Sequence, residues 1–225
     1  MVAATRRSVS IWIQYDVFNM PRKQHRRDYD ARARKEAAAQ TRAHVLDAAT
    51  KLFLRDGYAA TTVAKIAKTA RVSVETIYKT FGGKPGLVRA MWERALAGAG
   101  PVPAAQRSDE LQAQATDARS LMRAWSRLSG EVAPLASPIL LLIRDAAAHD
   151  REMAKLQAEA DRARLARMSD NARALVKFGI DATRSRDVMW LATSPEMYEM
   201  VVIRRGWSVD QYSELIHQLL VGALL

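Results

Sequence analysis

Cysteine is absent from the 225-residue chain. The protein therefore cannot contain a disulfide framework or a zinc site with cysteine ligands. A long hydrophobic run is also missing near the amino end, because Gln14 and Asp16 interrupt the stretch SVSIWIQYDVF, which is too short to span a bilayer. These absences fit a reducing compartment, and we expect a cytoplasmic protein without an export signal or a membrane partner.

Groups that are typical of enzymes are scarce as well. The four histidines, His25, His44, His149 and His217, are scattered without metal-ligand spacing, and no glycine-rich phosphate loop follows a strand pattern. We therefore expect no catalytic residue, no metal and no cofactor. Helical periodicity dominates and no segment alternates like a β-strand, so the sequence predicts an all-α protein of about nine helices.

Positive charge is concentrated in the first part of the chain. Residues 1–94 contain 19 Lys and Arg against 8 Asp and Glu, whereas residues 95–225 contain 16 of each kind. The net charge of +11 therefore lies in the first part. Such a distribution indicates a polyanionic partner, with a merely solvated basic surface as the alternative.

The clearest motif is TTVAKIAKTARVSVETIYKTFGGK, residues 61–84. Thr62 can cap one short helix, and Ser73 can cap a second over residues 74–81. Two short helices separated by about three residues form the helix-turn-helix pattern, whose second helix enters a DNA major groove. Lys84 then opens a further helix, whose positive amino end together with the lysine could hold a phosphate.

Further residues between positions 57 and 87 stand at the spacing of a known family. They are Gly57-Tyr58, Thr61-Thr62-Val63, Ile66-Ala67, Val72-Ser73, Thr76-Ile77-Tyr78, Phe81 and Lys84-Pro85-Gly86-Leu87. On these residues the chain resembles the TetR family of bacterial transcriptional regulators. It departs from the family pattern at Arg71, Thr80 and Gly83, where glycine, histidine and serine respectively are usual. A second tract, SPEMYEMVVIRRGWS, is similar to the carboxy-terminal part of actinobacterial-type TetR regulators, so the resemblance covers most of residues 36–225.

The resemblance implies a function and a set of DNA contacts. We expect a homodimeric regulator, in the first instance a repressor, that binds a palindromic DNA operator on the nucleoid and is released by a small-molecule effector. The expected DNA-binding residues are Thr62, Lys65, Ser73, Val74, Glu75, Thr76, Tyr78, Lys79, Thr80 and Lys84. Tyr78 could instead pack beneath its helix, and Glu75 could simply face solvent. The alternative function is that of a DNA-binding or helical adaptor protein that regulates no promoter.

Three regions are predicted along the chain. Residues 1–35 form a basic extension that we expect to be disordered, with DNA contact over residues 22–35 and no assigned role for residues 1–19. Residues 36–97 form the helix-turn-helix domain, which begins with a helix from Glu36 to Asp56. Residues 98–225 form a helical domain for effector binding and dimerisation, and the linker GAGPVPAAQRS stands at its start.

Periodicity and breakers divide the last region into helices. We expect helices over residues 108–129, 151–178, 187–205 and 208–225, with a loop over residues 179–185. Pro134 and Pro138 are expected to mark the end of one helix and the start of the next. Ser208 and Gln211 have the spacing of a capping box, which fixes the start of the last helix.

Two sets of apolar residues in this region are candidates for binding. The expected effector-binding residues are Met122, Trp125, Leu141, Met168 and Met189, although residues of these types at helical spacing are more often plain core. The neutral charge balance of the region suggests an effector without strong charge. The expected dimer-interface residues are Trp190, Leu191, Tyr198, Val201, Val202, Leu215 and Leu219, because one small bundle cannot bury so much apolar surface.

Overall fold

A computed structural model describes residues 22–98, 100 and 102–225, with the backbone alone for residues 22–31. All regular secondary structure of these residues is helical. The α-helices are α1 Arg22–Ala60, α2 Val63–Ala70, α3 Val74–Phe81, α4 Lys84–Ala97, α5 Ala104–Gln114, α6 Ala118–Ala147, α7 Arg151–Leu175, α8 Ala182–Ala192, α9 Pro195–Tyr198 and α10 Val209–Leu224. Apart from the single turn of α9 these described helices number nine, which confirms the predicted all-α class.

The first helix begins earlier than the sequence pattern predicts. It starts at Arg22 rather than Glu36, so the predicted start of this helix is corrected, whereas the expected disorder of the free extension stays a prediction. This segment contains no glycine or proline and is rich in arginine and lysine, which favour a helix. Residues 1–21, including the stretch for which no role is expected, lie outside the described part.

The chain divides after Thr41, and the unit Arg42–Leu225 contains the candidate sites. We call residues 42–97 the head and residues 104–225 the body. In the head, Val45, Ala49 and Phe53 are buried along one face of α1, as their helical spacing predicts. The head core continues into α6 and α7 through Ile139 and Leu156, among others. The head is therefore packed directly onto the body, and the predicted division near residue 98 stays a prediction.

The longest helix of the body contradicts one sequence prediction. Pro134 and Pro138 lie inside α6 rather than at a helix boundary. Each proline removes one backbone N–H from the helix, but α6 buries residues of both hydrophobic cores of the protein, and this packing outweighs the loss. Among the described helices, α6 alone is long and apolar enough to cross a membrane, but half of its apolar window is buried in the protein, as expected for a core helix.

The last helices differ from the predicted ones in their boundaries. Helix α8 begins at Ala182, inside the predicted loop, because Asp181 caps it. The predicted helix over 187–205 is interrupted after α8, where Ser194 precedes Pro195 and caps α9, which continues as a π-helical turn, Glu199–Ile203. Helix α7 with the short 3₁₀ turn Val176–Phe178 matches its prediction, and the capping box of Ser208 and Gln211 at α10 is confirmed.

Candidate DNA-binding surface and internal cavity

The turn between α2 and α3 is built by local hydrogen bonds. The Thr62 hydroxyl accepts a bond of 3.1 Å from the backbone N–H of Lys65, and the Ser73 hydroxyl accepts one of 3.0 Å from that of Thr76. These are the two helix caps that the sequence predicts. Between them Arg71 adopts a left-handed conformation, with φ of 55°, at the position where a turn glycine would be unstrained.

Helix α3 presents a mixed surface to solvent. Ile77 is fully buried beneath the helix, whereas Tyr78 is 55% exposed and Val74 is also exposed on the outer side. Tyr78 therefore does not pack beneath its helix, which removes the alternative considered for it. The Ser73 and Thr76 hydroxyls lie 2.8 Å apart at the amino end of the helix. This end can offer hydroxyl and apolar groups together to base edges and phosphates.

The structure places the expected DNA-binding residues on one continuous set of helices and turns. Those with exposed side chains are Thr62, Lys65, Ser73, Val74, Glu75, Tyr78, Lys79 and Thr80, and those with half-buried side chains are Thr76 and Lys84. Lys65 also forms an ion pair of 2.8 Å with Asp56, whose pKa is held below its usual range by hydrogen bonds from Arg55 and Lys65. The contacts of the ten expected residues with DNA stay predictions.

Lys84 lies where the head meets the body. Its Nζ stands 4.2 Å from the centre of the Tyr58 ring, and the Tyr58 hydroxyl donates a bond of 3.1 Å to Asp150. Asp150 in turn caps α7 by accepting from the N–H groups of Glu152 and Met153. Partial burial lowers the pKa of Lys84, and attraction to Asp150 opposes this effect. The sequence predicted Lys84 as a phosphate contact but gave no sign of its link, through Tyr58, to α7.

A cavity of about 380 Å³ lies in the body and reaches the end of α4. Its wall comes from α4, α5, α6, α7 and α10 together with Thr193. Of the expected effector-binding residues, Trp125 and Met168 line it. Met122, Leu141 and Met189 do not line it and are buried elsewhere, which is the ordinary place for such residues at helical spacing.

Several polar groups in the cavity wall were not identified from the sequence. Ser108 donates to Asn171, and Arg167 forms an ion pair with Asp109. Trp125 Nε1 and the Tyr212 hydroxyl are buried without a hydrogen-bond partner among the described residues. Because Tyr212 lies 87 residues after Trp125 in the chain, no local pattern could have brought the two side chains to one cavity.

The expected dimer-interface residues differ in how far their side chains are exposed. Trp190, Leu191 and Leu219 are exposed, and Val201, Val202 and Leu215 are half-buried. Tyr198 is only 6% exposed and packs edge-on against the Tyr212 ring, at 5.3 Å between centres, which leaves little of its side chain for an interface. Three further large apolar side chains of the same region are exposed, namely Met200, Ile203 and Trp207.

Comparison with known proteins identifies the head. Residues 45–91 match the sequence model described as bacterial regulatory proteins, tetR family. The head therefore belongs to the TetR family. This assignment confirms the resemblance stated from the helix-turn-helix residues.

Relatives and solved structures agree with the TetR assignment. The HTH-type transcriptional regulator AcrR of Shigella flexneri is 41% identical over 63 residues, which are 28% of this chain and 29% of that protein. The chain thus matches less than a third of the length of the curated relatives. The SmeT–triclosan complex superposes with a TM-score of 0.64 at 20% identity, covering 83% of this chain and 92% of that one. NalD, the secondary repressor of the MexAB-OprM multidrug efflux pump in Pseudomonas aeruginosa, has a TM-score of 0.61 at 18–19% identity, covering 84% of this chain and 98% of that one. The body thus shares the fold of these proteins.

Proposed function

We propose that this TetR-type protein is a transcriptional repressor that binds a palindromic operator as a homodimer and releases it when a small molecule enters the cavity. The observation that carries the proposal is the capped helix-turn-helix of the head, with the outer face of α3 exposed and residues 45–91 matching the family. The surplus of positive charge in residues 1–94 supports a DNA partner.

In this proposal α3 enters a major groove. Val74, Glu75 and Thr76 at its amino end contact base edges, while Tyr78 and Lys84 contact phosphates. Phosphate contacts set the position of the helix on the duplex and contribute affinity that depends on salt, whereas base contacts provide the sequence preference. A helix of eight residues reads few base pairs, which favours two copies acting on two half-sites.

The exposed apolar side chains of the body support pairing. Trp190, Leu191 and Leu219 on α8 and α10 are exposed, as are Ile203 and Trp207 in the segment that joins these helices. Large apolar groups on neighbouring elements are costly to hydrate and are commonly covered by a second subunit. Two-fold pairing through this surface would place two copies of α3 on one duplex at a fixed separation.

The cavity gives a route from effector to DNA. Helix α4 begins at Lys84, beside the proposed DNA surface, and its last turns contribute Trp92 and Leu96 to the cavity wall. A molecule in the cavity therefore contacts the same rigid helix that positions Lys84. An effector that binds more tightly to the conformation with mismatched half-site spacing shifts the population away from the DNA-bound state. SmeT, which shares the fold, was solved with triclosan, and NalD is named a repressor.

The same proposal covers the setting of the protein. We propose that it acts in the cytoplasm, on the nucleoid when bound to DNA, without a cofactor and without a catalytic reaction. Among the described residues, no group of three or more histidine and acidic side chains has the arrangement of a metal site.

Selection of duplexes tests the proposal. The purified chain is incubated with a library of random double-stranded DNA, and bound duplexes are recovered at physiological salt through several rounds. We expect enrichment of a sequence with two-fold symmetry, whose complex resists a large excess of unrelated duplex. Recovery of unrelated sequences, displaced in proportion to competitor, would instead support a DNA-binding protein without an operator.

A further inference from the structure

The cavity wall is mainly apolar, and its charged side chains are all positive. Most of the wall is made of alanine, leucine, valine and tryptophan side chains. Two charged side chains, Arg164 and Arg167, belong to it, and no aspartate or glutamate does. A cavity with this lining favours a molecule that has an apolar body and one electron-rich end.

The two arginines differ in how their charge is compensated. Arg167 forms an ion pair of 2.8 Å with Asp109 and donates to the carbonyl of Ala105. Arg164 donates to the backbone carbonyl of Trp190 and lies over the Trp190 ring at 4.1 Å. The ion pairs of the described residues include none with Arg164. Its guanidinium is therefore the cavity cation whose charge is left without a carboxylate in contact.

Burial makes this arrangement costly for Arg164. Desolvation lowers the pKa of its guanidinium, and the attraction of Asp161 and Glu196 only partly opposes that effect. An anion in the cavity would supply the missing charge in a medium of low dielectric, where the interaction is stronger than in water. Because arginine stays protonated in proteins, the site cannot relieve the cost by losing a proton.

Besides Arg167 Nε, the wall contains two buried polar groups without hydrogen-bond partners among the described residues. Trp125 is 4% exposed and its Nε1–H has no acceptor among the described residues, while Tyr212 is fully buried and its hydroxyl has neither donor nor acceptor there. Burial raises the pKa of Tyr212, so the hydroxyl keeps its proton and can donate. A buried polar group without a partner is unfavourable, and groups of this kind that line a cavity point to a ligand or to water.

We propose that the cavity binds an organic anion with an apolar body, whose carboxylate or equivalent group accepts hydrogen bonds from Arg164, Trp125 and Tyr212. This inference rests on the proposal that the cavity is the effector site, and it names the chemical class of the effector. It differs from the sequence-based expectation of an effector without strong charge. That expectation rested on the charge balance of the whole region, which does not show the charge of the cavity wall. Arg167 and Asn171 are among the other polar residues of the wall.

Calorimetric titration with matched probes tests the inference without DNA. The probes are 2-naphthoate, 2-naphthamide and 2-naphthylmethylammonium, which share one apolar body, and octanoate with octylammonium, which share another. We expect each carboxylate to bind at least about tenfold more tightly than its ammonium partner, with the amide between them. Equal binding of carboxylate and ammonium, or no binding of either carboxylate, would overturn the inference.

Substitutions identify the contacting groups. Arg164→Met should abolish the difference between naphthoate and naphthamide, whereas Arg162→Met, an exposed arginine of the same helix, should preserve it. If Arg164→Met dissociates the dimer and leaves naphthoate binding unchanged, Arg164 serves the interface and the inference is wrong.

Tyr212→Phe separates a ligand contact from a structural role. Removing a buried hydroxyl that has no partner should leave the unfolding temperature of the free protein unchanged or higher, while naphthoate binding weakens several-fold. If Tyr212→Phe binds naphthoate as tightly as the unchanged protein, the Tyr212 hydroxyl does not contact the ligand and its proposed role is wrong. If naphthoate binds as expected but leaves the selected operator bound, the anion site stands and its proposed regulatory role fails.

Discussion

The head and the body differ in how completely they satisfy their own polar groups. In the head, both helix caps of the helix-turn-helix are formed, and none of its described side chains carries a buried polar atom without a partner. All six such atoms belong to the body, on Arg107, Trp125, Arg167, Ser185, Tyr212 and His217. In the proposed function, the head therefore needs no further group to complete its hydrogen bonds, whereas an effector and a second subunit would complete the body.

Exposed apolar surface follows the same division. In the head, two of the four large exposed apolar residues, Val74 and Tyr78, stand on the outer face of α3, where DNA is proposed to bind. In the body, a larger set gathers on α8, α10 and the turn between them, including Leu191, which is 64% exposed. A second copy of the chain would cover that surface, just as an effector would satisfy the polar groups of the cavity.

The largest expected effect is a change that breaks the head. A Cβ at Gly86 would overlap the backbone carbonyl of Phe81, which no side-chain rotation can relieve. Gly86→Ala should therefore lower the free energy of unfolding by about 3 kcal/mol and abolish operator binding. Urea denaturation and a binding titration measure both effects.

Gly222→Ala is the matched control for this change in the body. No atom lies within contact distance of a Cβ at Gly222, which is in α10, so alanine should stabilise the helix by up to about 1 kcal/mol. Equal unfolding midpoints for Gly86→Ala and the unchanged protein would contradict the close approach of Gly86 to the Phe81 carbonyl.

A charge on the apolar surface of the body tests pairing. Leu191→Glu should weaken dimerisation by about a hundredfold, because the carboxylate would be buried in the interface without a partner. Sedimentation at several concentrations measures the change, and operator affinity should fall with it. Leu54→Glu, at an exposed leucine of the head, is the control and should leave the dimer intact. If Leu191→Glu dimerises as tightly as the unchanged protein, the dimer interface does not include Leu191.

The role of Lys84 is tested by removing its charge. Lys84→Ala should weaken binding to specific and unrelated duplexes alike, by about tenfold at low salt, and should reduce the salt dependence by about one unit of slope. Titrations at several salt concentrations provide both quantities. Lys155→Ala, in which an exposed lysine of α7 is removed, serves as the control. Normal binding by Lys84→Ala at every salt concentration would assign the lysine to the Tyr58 contact alone.

The smallest expected effect concerns the turn of the head. Arg71→Gly should raise the free energy of unfolding by about 0.5–1 kcal/mol, because glycine adopts the left-handed conformation without strain. Loss of the cation beside α3 should at the same time weaken DNA binding by a few-fold. Arg71→Ala, which loses the cation but keeps the left-handed strain, should weaken DNA binding without the gain in stability and so separates the two effects. A less stable Arg71→Gly protein would show that the arginine side chain supports the turn.

Much of the head could be predicted from the sequence because its signals are local. The caps at Thr62 and Ser73 act within three residues, and the apolar spacing of α1 identifies its buried face. The body depends on contacts that are distant in the chain. The Tyr58–Asp150 hydrogen bond joins residues 92 positions apart, and the packing that keeps Pro134 inside α6 comes from other helices. Arg164 follows Leu156 and Ala160 at intervals of four and so lies on the inner face of α7, but the sequence did not show that this face borders a cavity.

The most direct test of this account is the number of chains bound to one selected operator duplex. Sedimentation of the full chain with a duplex that carries a single two-fold symmetric site gives the mass of the complex. We expect two chains on the duplex with the full site. A duplex shortened to a single half-site should bind one chain, and much more weakly. One chain on the full site, or a number that grows with duplex length, would contradict it.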